Sequence, residues 1–95
     1  MASAYKGYQQ LTGLSSASAL TVPAGADLAV IQAEGQTVRY LLDGTNPTAS
    51  TGGRIIKDSQ VPTQIRVVDG LKVAKFIEES ASAKLNVLYF GPENA

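Results

Sequence analysis

The stretch that decides the fold is LAVIQAEGQTVRYLLD, residues 28–43, in which two runs of alternating character flank Gly35-Gln36. If these two residues form a tight hairpin loop, the strands on either side pair so that one face is entirely apolar. The facing pairs on it are Ala33 with Val38, Ile31 with Tyr40, and Ala29 with Leu42. On the other face, Glu34 and Arg39 become diagonal neighbours of opposite charge. A one-residue slip would mix the two faces, so the pattern predicts an antiparallel hairpin in this register.

A second hairpin is predicted at Asp69-Gly70, a dipeptide that favours the type I′ turn between paired strands. A four-residue loop at 80–83 then brings Glu79 opposite Lys84 in a third strand. With both registers in place, one side of the three strands forms a core face. Its members are Ile65, Val67, Ala74, Phe76, Leu85, Val87 and Tyr89.

Turn-forming residues recur about every 8–12 positions, and no stretch sustains a helical period. This spacing predicts an all-β chain, a single small β-sandwich or jelly-roll-like domain of about eight short antiparallel strands. The predicted strands are 8–14, 17–22, 28–34, 37–43, 53–57, 64–68, 71–79 and 84–90. Residues 1–14 are assigned to an N-terminal arm and first strand, 15–90 to the sandwich, and 91–95 to a C-terminal tail.

The composition excludes most enzyme chemistry. The 95 residues include no Cys and no His, which removes thiol nucleophiles, disulfides, zinc–thiolate sites and the usual general base. Eight Lys and Arg balance eight Asp and Glu, and a chain without positive excess is a poor candidate for nucleic-acid or membrane-surface binding. No run approaches the ~18 apolar residues of a membrane-spanning helix, and no targeting segment is recognisable. We therefore expect a soluble chain made in the cytoplasm, with no enzymatic activity, no cofactor and no metal.

Three motifs are explained better by structure than by chemistry. Asp43-Gly44-Thr45-Asn46 offers oxygen ligands suited to Ca²⁺, but it lacks the carboxylates of a full cage, and an Asx turn before Pro47 accounts for it. Glu78 and Glu79 are adjacent on a strand and so point to opposite faces, which prevents them from acting as a glycosidase pair. Thr51-Gly52-Gly53-Arg54 lacks the Lys-Ser/Thr of a phosphate-binding loop and indicates a flexible turn.

The opposite face of the C-terminal strands is more apolar than a solvated sheet face. Either the second sheet or a loop covers it within the monomer, or a partner subunit does. Contiguous apolar patches mark interaction surfaces, and the low charge content of the chain favours the partner. The candidate interface is this face together with two tyrosines of the arm, namely Tyr5, Tyr8, Val68, Leu71, Val73, Ile77, Leu88 and Phe90.

Several segments carry a resemblance when they are taken together and in order. They are 20–26 (LTVPAGA), 31–36 (IQAEGQ), 38–40 (VRY), 43–45 (DGT), 47–50 (PTAS), 76–78 (FIE) and 83–87 (AKLNV). These segments resemble small, mostly uncharacterised β-sandwich proteins encoded among the structural genes of tailed bacteriophages. The resemblance spans about 20–90 and implies a virion component without catalytic residues.

These observations favour a non-enzymatic structural protein of the virion. The expected role is a capsid decoration or cement protein that stabilises the head by binding the major capsid protein or other virion proteins, as a homo-oligomer on the capsid surface. A head–tail or tail-associated subunit is the alternative in the same class. A glycan-binding module is the alternative in another class. It needs an aromatic platform, for which only Tyr5, Tyr8 and Phe90 remain once the other aromatic residues are assigned to the core.

Overall fold

The alternating runs form eight strands in the part of the chain that the computed structural model describes, residues 3–65 and 73–92. Their bounds are β1 (Ser3–Leu11), β2 (Ser18–Ala19), β3 (Leu28–Glu34), β4 (Val38–Leu41), β5 (Gly53–Ile55), β6 (Thr63–Ile65), β7 (Lys75–Glu78) and β8 (Lys84–Pro92). All strand pairs between them are antiparallel. The predicted all-β sandwich is confirmed.

The strands divide into two four-stranded sheets. The first sheet has the order β1-β8-β3-β6, and the second has the order β2-β7-β4-β5. The pairing is nested, because β1 pairs with β8, β2 with β7, β3 with β6 and β4 with β5. A long antiparallel hairpin wound into two layers gives this strand order, which is that of a jelly roll. It brings the first and last strands of the chain side by side.

The predicted hairpin at Gly35-Gln36 is wrong. β3 and β4 lie in different sheets, so the chain crosses from one layer to the other at this point. Gly35 takes a φ of 85° there, and its N–H donates to Asp58 Oδ1 at 3.2 Å. The apolar face was nevertheless identified correctly, since Ala33 and Val38 are both buried. Their side chains point into the core from two facing sheets, which produces the same alternation as two neighbouring strands.

The C-terminal registers are wrong for the same reason. β6 and β8 belong to the first sheet and β7 to the second, so the predicted pairing of three consecutive strands does not form. Lys84 pairs with Glu34 of β3, and Glu79 lies beside two arginines of the second sheet. The turn predicted at Asp69-Gly70 lies outside the described residues.

The core lies between the two sheets and contains the predicted core residues that the structure describes. Ile65, Ala74, Phe76, Leu85, Val87 and Tyr89 are all buried, whereas Val67 lies outside the described residues. In the second sheet, the rings of Tyr40 and Phe76 stack with their centroids 6.0 Å apart. Tyr40 also lies over Gly53, where a Cβ would come within 2.8 Å of the ring. Leu14 is fully buried although it belongs to no strand.

The chain ends are more regular than predicted. β1 runs from Ser3 to Leu11 and so includes most of the predicted arm, while Gly91 and Pro92 of the predicted tail continue β8. Residues 93–95 lie outside the described part. β7 begins at Lys75, four positions later than the strand predicted to start at 71.

Candidate interaction surface on the first sheet

The structure divides the predicted interface residues between two sheets. The outer face of the first sheet carries Tyr5, Tyr8, Leu88 and Phe90 on β1 and β8. Ile77 lies on the second sheet, and Val73 precedes β7. Val68 and Leu71 lie outside the described residues. The predicted single face therefore does not exist as one surface, because β7 and β8 belong to different layers.

Four aromatic and aliphatic side chains meet on the outer face of β1 and β8. Tyr5 pairs with Phe90, and Tyr8 pairs with Leu88. The rings of Tyr5 and Phe90 make an edge-to-face contact, with centroids 5.9 Å apart and planes at 68°. Tyr5 is 59% exposed, Tyr8 54% and Leu88 39%. On the next strand, the half-buried Val30 pairs with Leu88, and we call these five residues the aromatic patch.

A bulge in β1 places both tyrosines on this face. Tyr5 and Tyr8 are three positions apart, and side chains at odd spacing on a regular strand point to opposite faces. The register shifts between Tyr5 and Gly7, so that Lys6 is the extra residue in β1. One extra residue restores the outward direction and brings both rings to the same side of the sheet.

Asn86 organises the polar end of the same face. Its Oδ1 accepts hydrogen bonds from Tyr8 Oη at 2.8 Å and from Gln10 Nε2 at 2.9 Å. Its Nδ2 donates to Glu34 Oε1 at 3.1 Å. The amide thus connects the three strands β1, β8 and β3 and holds the Tyr8 hydroxyl in place. Sequence reasoning missed this role because the partners of Asn86 are at least 52 positions away along the chain.

A shallow cleft of about 280 Å³ opens beside Asn86. It is lined by Gln32, Ala33, Glu34, Asp58, Ser59 and Asn86. Gln32 Nε2 donates to the Ser59 carbonyl oxygen at 3.3 Å, which holds the 58–59 turn against the sheet. The carboxylates of Glu34 and Asp58 give the cleft an excess of hydrogen-bond acceptors. Such a lining suits a ligand that offers several O–H or N–H donors.

β1 is fixed from the core side as well. Tyr89 Oη donates to Gln9 Oε1 at 2.6 Å, and the same oxygen accepts from Thr21 N at 3.0 Å. Burial raises the pKa of Tyr89 to about 12, so its hydroxyl stays protonated and remains a donor at neutral pH. The strand that carries Tyr5 and Tyr8 is thus attached on one face to the core and at one edge to β8.

The outer face of the second sheet is ionic. Glu79 Oε2 accepts from Arg39 Nε at 2.6 Å and from Arg54 Nε at 2.8 Å. The hydrogen bond from Arg54, followed by that from Arg39 and by the positive charge of both, lowers the pKa of Glu79. Arg39 lies directly across from Ile77 in the sheet. The half-buried Ile77 is thus beside an ion-pair cluster, a setting unlike that of the aromatic patch.

The Asx turn predicted at Asp43 is present. Asp43 Oδ1 accepts from Thr45 N at 3.1 Å and from Thr45 Oγ1 at 2.5 Å. The hydrogen bond from the Thr45 hydroxyl is the main cause of the lowered pKa of Asp43. Within residues 3–65 and 73–92, no three acidic side chains come close enough together to hold a metal ion. No helix in the same part of the chain has the length and apolar character needed to cross a membrane.

No protein-family model matches the chain, and no curated protein or solved structure matches it either.

Proposed function

We propose that this chain is a non-enzymatic structural protein of a tailed-bacteriophage virion, a decoration or cement protein that binds the major capsid protein through the aromatic patch. The observation that carries the proposal is the exposure of Tyr5, Tyr8 and Leu88 side by side on a rigid sheet. Contiguous apolar and aromatic surface of this kind marks interaction sites, and tyrosine is enriched at the centres of protein interfaces.

Several features of the chain suit a cement protein. Four of the five patch residues lie on two nine-residue strands that pair along almost their whole length, so a partner meets a preformed surface. A preformed surface loses little side-chain and backbone entropy on binding. Many copies on a shell would then multiply modest contacts into a stable lattice. Jelly-roll sandwiches are common among viral capsid domains, which supports the proposal by analogy of fold.

The test is co-sedimentation with phage heads that lack this protein. Leu88→Lys places a charge in the middle of the patch, and we expect it to weaken binding by about tenfold or more, because an interface would desolvate that charge without a partner. Ile56→Lys is the matched control, since Ile56 is 50% exposed and lies just after β5 of the second sheet. Equal binding by both variants and the wild type would overturn the docking surface. Binding to isolated tails but not to heads would favour the tail-associated alternative.

A second candidate function, glycan binding, is favoured by the surroundings of Tyr8. The exposed Tyr8 ring adjoins the amide groups of Gln10 and Asn86, and the acceptor-rich cleft begins at Asn86. Stacking on an aromatic ring together with hydrogen bonds to amides and carboxylates is a chemistry that sugars fit. Jelly-roll sandwiches also occur among lectin domains.

The two functions differ in the residues that they require. A glycan site needs both Tyr8 and the cleft. A glycan identified by screening an array should shift amide signals in the NMR spectrum of the wild type, and Asp58→Ala and Tyr8→Ala should each abolish these shifts. Capsid docking through the patch needs Tyr8 but not Asp58. If Asp58→Ala leaves binding to heads unchanged and no glycan shifts the spectrum, the glycan candidate is excluded.

A further inference from the structure

The four edge strands of the sandwich are protected to very different degrees. In the described part of the chain, β2 has two residues, and β5 and β6 have three each. β1 has nine and forms the edge of the first sheet. Native proteins shorten, charge or cover exposed edges, because a free row of backbone N–H and C=O groups is a template for another strand. Among the four described edge strands, β1 is therefore the one that is not short.

The free side of β1 and its uncharged sequence leave most of this edge available for pairing. One side of the strand pairs with β8 from Ser3 to Leu11, and no described strand pairs with the other side. Beyond the bulge at Lys6, residues 7–11 read GYQQL and include no charged residue and no Pro. The segment around Thr21 approaches β1 from the core side, where Thr21 N donates to the Gln9 side chain. Residues 7–11 thus form an uncharged edge that pairs with β8 residue for residue.

We propose that this edge pairs antiparallel with β1 of a second copy of the chain, across a two-fold axis at Gln9. The two first sheets then form one continuous sheet. The segment is self-complementary in this register, because Tyr8 of each copy lies opposite Gln10 of the other and Gly7 lies opposite Leu11. The even register keeps side chains of one face together, so both aromatic patches lie on the same side of the joined sheet.

The register also explains why a second copy is a suitable occupant. The two outward pairs combine an aromatic ring with an amide, and neither places like charges opposite each other. The bulge at Lys6 ends the continuous pairing and limits the available edge to residues 7–11, and the register centred on Gln9 is the one that pairs all five of them. This inference does not depend on the capsid partner, since it concerns the isolated chain.

The experiment compares two double variants that differ only in the sign of the charge at position 10. Tyr8→Lys with Gln10→Lys puts Lys opposite Lys at both outward pairs, whereas Tyr8→Lys with Gln10→Glu puts Lys opposite Glu. Both variants lose the same tyrosine and the same hydrogen bonds to Asn86 at two exposed positions, so any loss of stability from these contacts is common to the two. Molecular mass is measured by light scattering over a concentration series, with thermal melts to show that each variant is folded.

We expect the wild type and the Lys/Glu variant to dimerise and the Lys/Lys variant to stay monomeric, with a dissociation constant raised about tenfold or more. The amides of residues 7–11 should exchange hydrogen more slowly as wild-type concentration rises. A wild-type chain that remains monomeric at every concentration would overturn the proposal. So would a dimer that the Lys/Lys variant leaves intact, or one that neither double variant forms.

Discussion

The hydroxyl of Tyr89 on the last strand donates a 2.6 Å hydrogen bond to Gln9 Oε1 on the first strand, inside the sandwich. Gln9 Oε1 also accepts from Thr21 N, so three distant parts of the chain meet at one oxygen atom. Tyr89 also pairs with Gly7 of the first strand in the sheet. This contact fixes the strand on which Tyr5 and Tyr8 are exposed.

Tyr89→Phe should destabilise the protein mainly by removing this hydrogen bond. We expect a loss of about 0.5–1.5 kcal/mol in the free energy of unfolding, since Thr21 N still satisfies the Gln9 oxygen. Chemical denaturation at neutral pH measures it. A decrease in the free energy of unfolding several times larger than this would mean that the Tyr89 hydroxyl holds other parts of the core in place besides Gln9.

Tyr89 should also make the stability sensitive to alkali. Its pKa is raised from the ordinary 10.0 to about 12 by burial. The unfolded chain therefore releases this proton first, and the stability that Tyr89 contributes is complete below pH 10 and is lost as the pH rises toward 12. Melting temperatures measured from pH 9 to 12 should fall more steeply for the wild type than for Tyr89→Phe. Parallel curves would show that Tyr89 ionises normally.

The sequence predicts the faces of the strands well and their neighbours poorly. The side chains of Ile31, Val38 and Phe76 point inward as their alternation indicates, because burial is recorded in the pattern at every second residue. The alternation does not show which strands are neighbours in a sheet. Two strands that face each other across the core show the same alternation as two that lie side by side, so the pattern around Gly35-Gln36 does not distinguish a hairpin loop from a crossing between layers.

The candidate site was predictable only in part. The apolar excess in the sequence points to Leu88 and Phe90, and the candidate interface also contains Tyr5 and Tyr8, but no sequence pattern places these two tyrosines on one face. That required the bulge at Lys6, which depends on the register with β8. The Asn86 network likewise depends on strands that are far apart along the chain.

Glu79 should contribute to stability only where it is ionised. The hydrogen bond from Arg54 is the largest cause of its lowered pKa. Its contribution is therefore present above the ordinary value of 4.5 and is lost as the pH falls through the folded-state pKa. We expect the difference in melting temperature between the wild type and Glu79→Gln to be greatest above pH 4.5 and to narrow below it.

A double-mutant cycle identifies the partner responsible. In an Arg54→Gln background, Glu79→Gln should have a smaller and less pH-dependent effect, because the main hydrogen-bond donor is already absent. If the effect of Glu79→Gln is the same in both backgrounds, the ion pair with Arg54 does not stabilise the fold.

Gly91 should tolerate no side chain. A Cβ at this position would overlap the Gly25 carbonyl oxygen and come within 3.3 Å of Ala26 Cα, and both neighbours are backbone atoms that cannot rotate away. We expect Gly91→Ala to cost about 1–3 kcal/mol or more and to displace the 23–27 loop. The amide of Asp27, which donates to the Phe90 carbonyl at 2.9 Å, should then lose its protection from hydrogen exchange.

Gly13→Ala is the control for this substitution. Gly13 has a φ of 66°, but nothing lies within 4 Å of its Cβ position, so an alanine there brings backbone strain without overlap. We expect a cost of about 1–2 kcal/mol with the Asp27 amide still protected. An unprotected Asp27 amide in both variants would show general destabilisation in place of a local displacement.

Phe76 should be a major contributor to the core, since it is fully buried and stacks on Tyr40. Phe76→Ala should reduce the free energy of unfolding by about 3–5 kcal/mol, as expected for an aromatic side chain removed from a packed core. The comparison is Val61→Ala at a side chain that is 77% exposed, where we expect a change within about 0.5 kcal/mol. A near-normal denaturation midpoint for Phe76→Ala would contradict the placement of β7 in the sandwich.

The crossing between layers at Gly35 can be tested with engineered disulfides, since the chain contains no Cys of its own. Gln32 pairs with Asn86 on the outer face of the first sheet, and directly paired strand residues have Cα separations of about 4.5–5.5 Å, within the range that a disulfide spans. The predicted hairpin would instead have paired Gln32 with Arg39, which lies in the second sheet.

Gln32→Cys with Asn86→Cys should therefore oxidise to an intramolecular disulfide under native conditions. Gln32→Cys with Arg39→Cys should keep two free thiols, because the two side chains point away from each other on opposite outer faces of the sandwich. Thiol titration after mild oxidation distinguishes the two topologies, and rapid disulfide formation by the second pair alone would show that β3 and β4 form a hairpin after all.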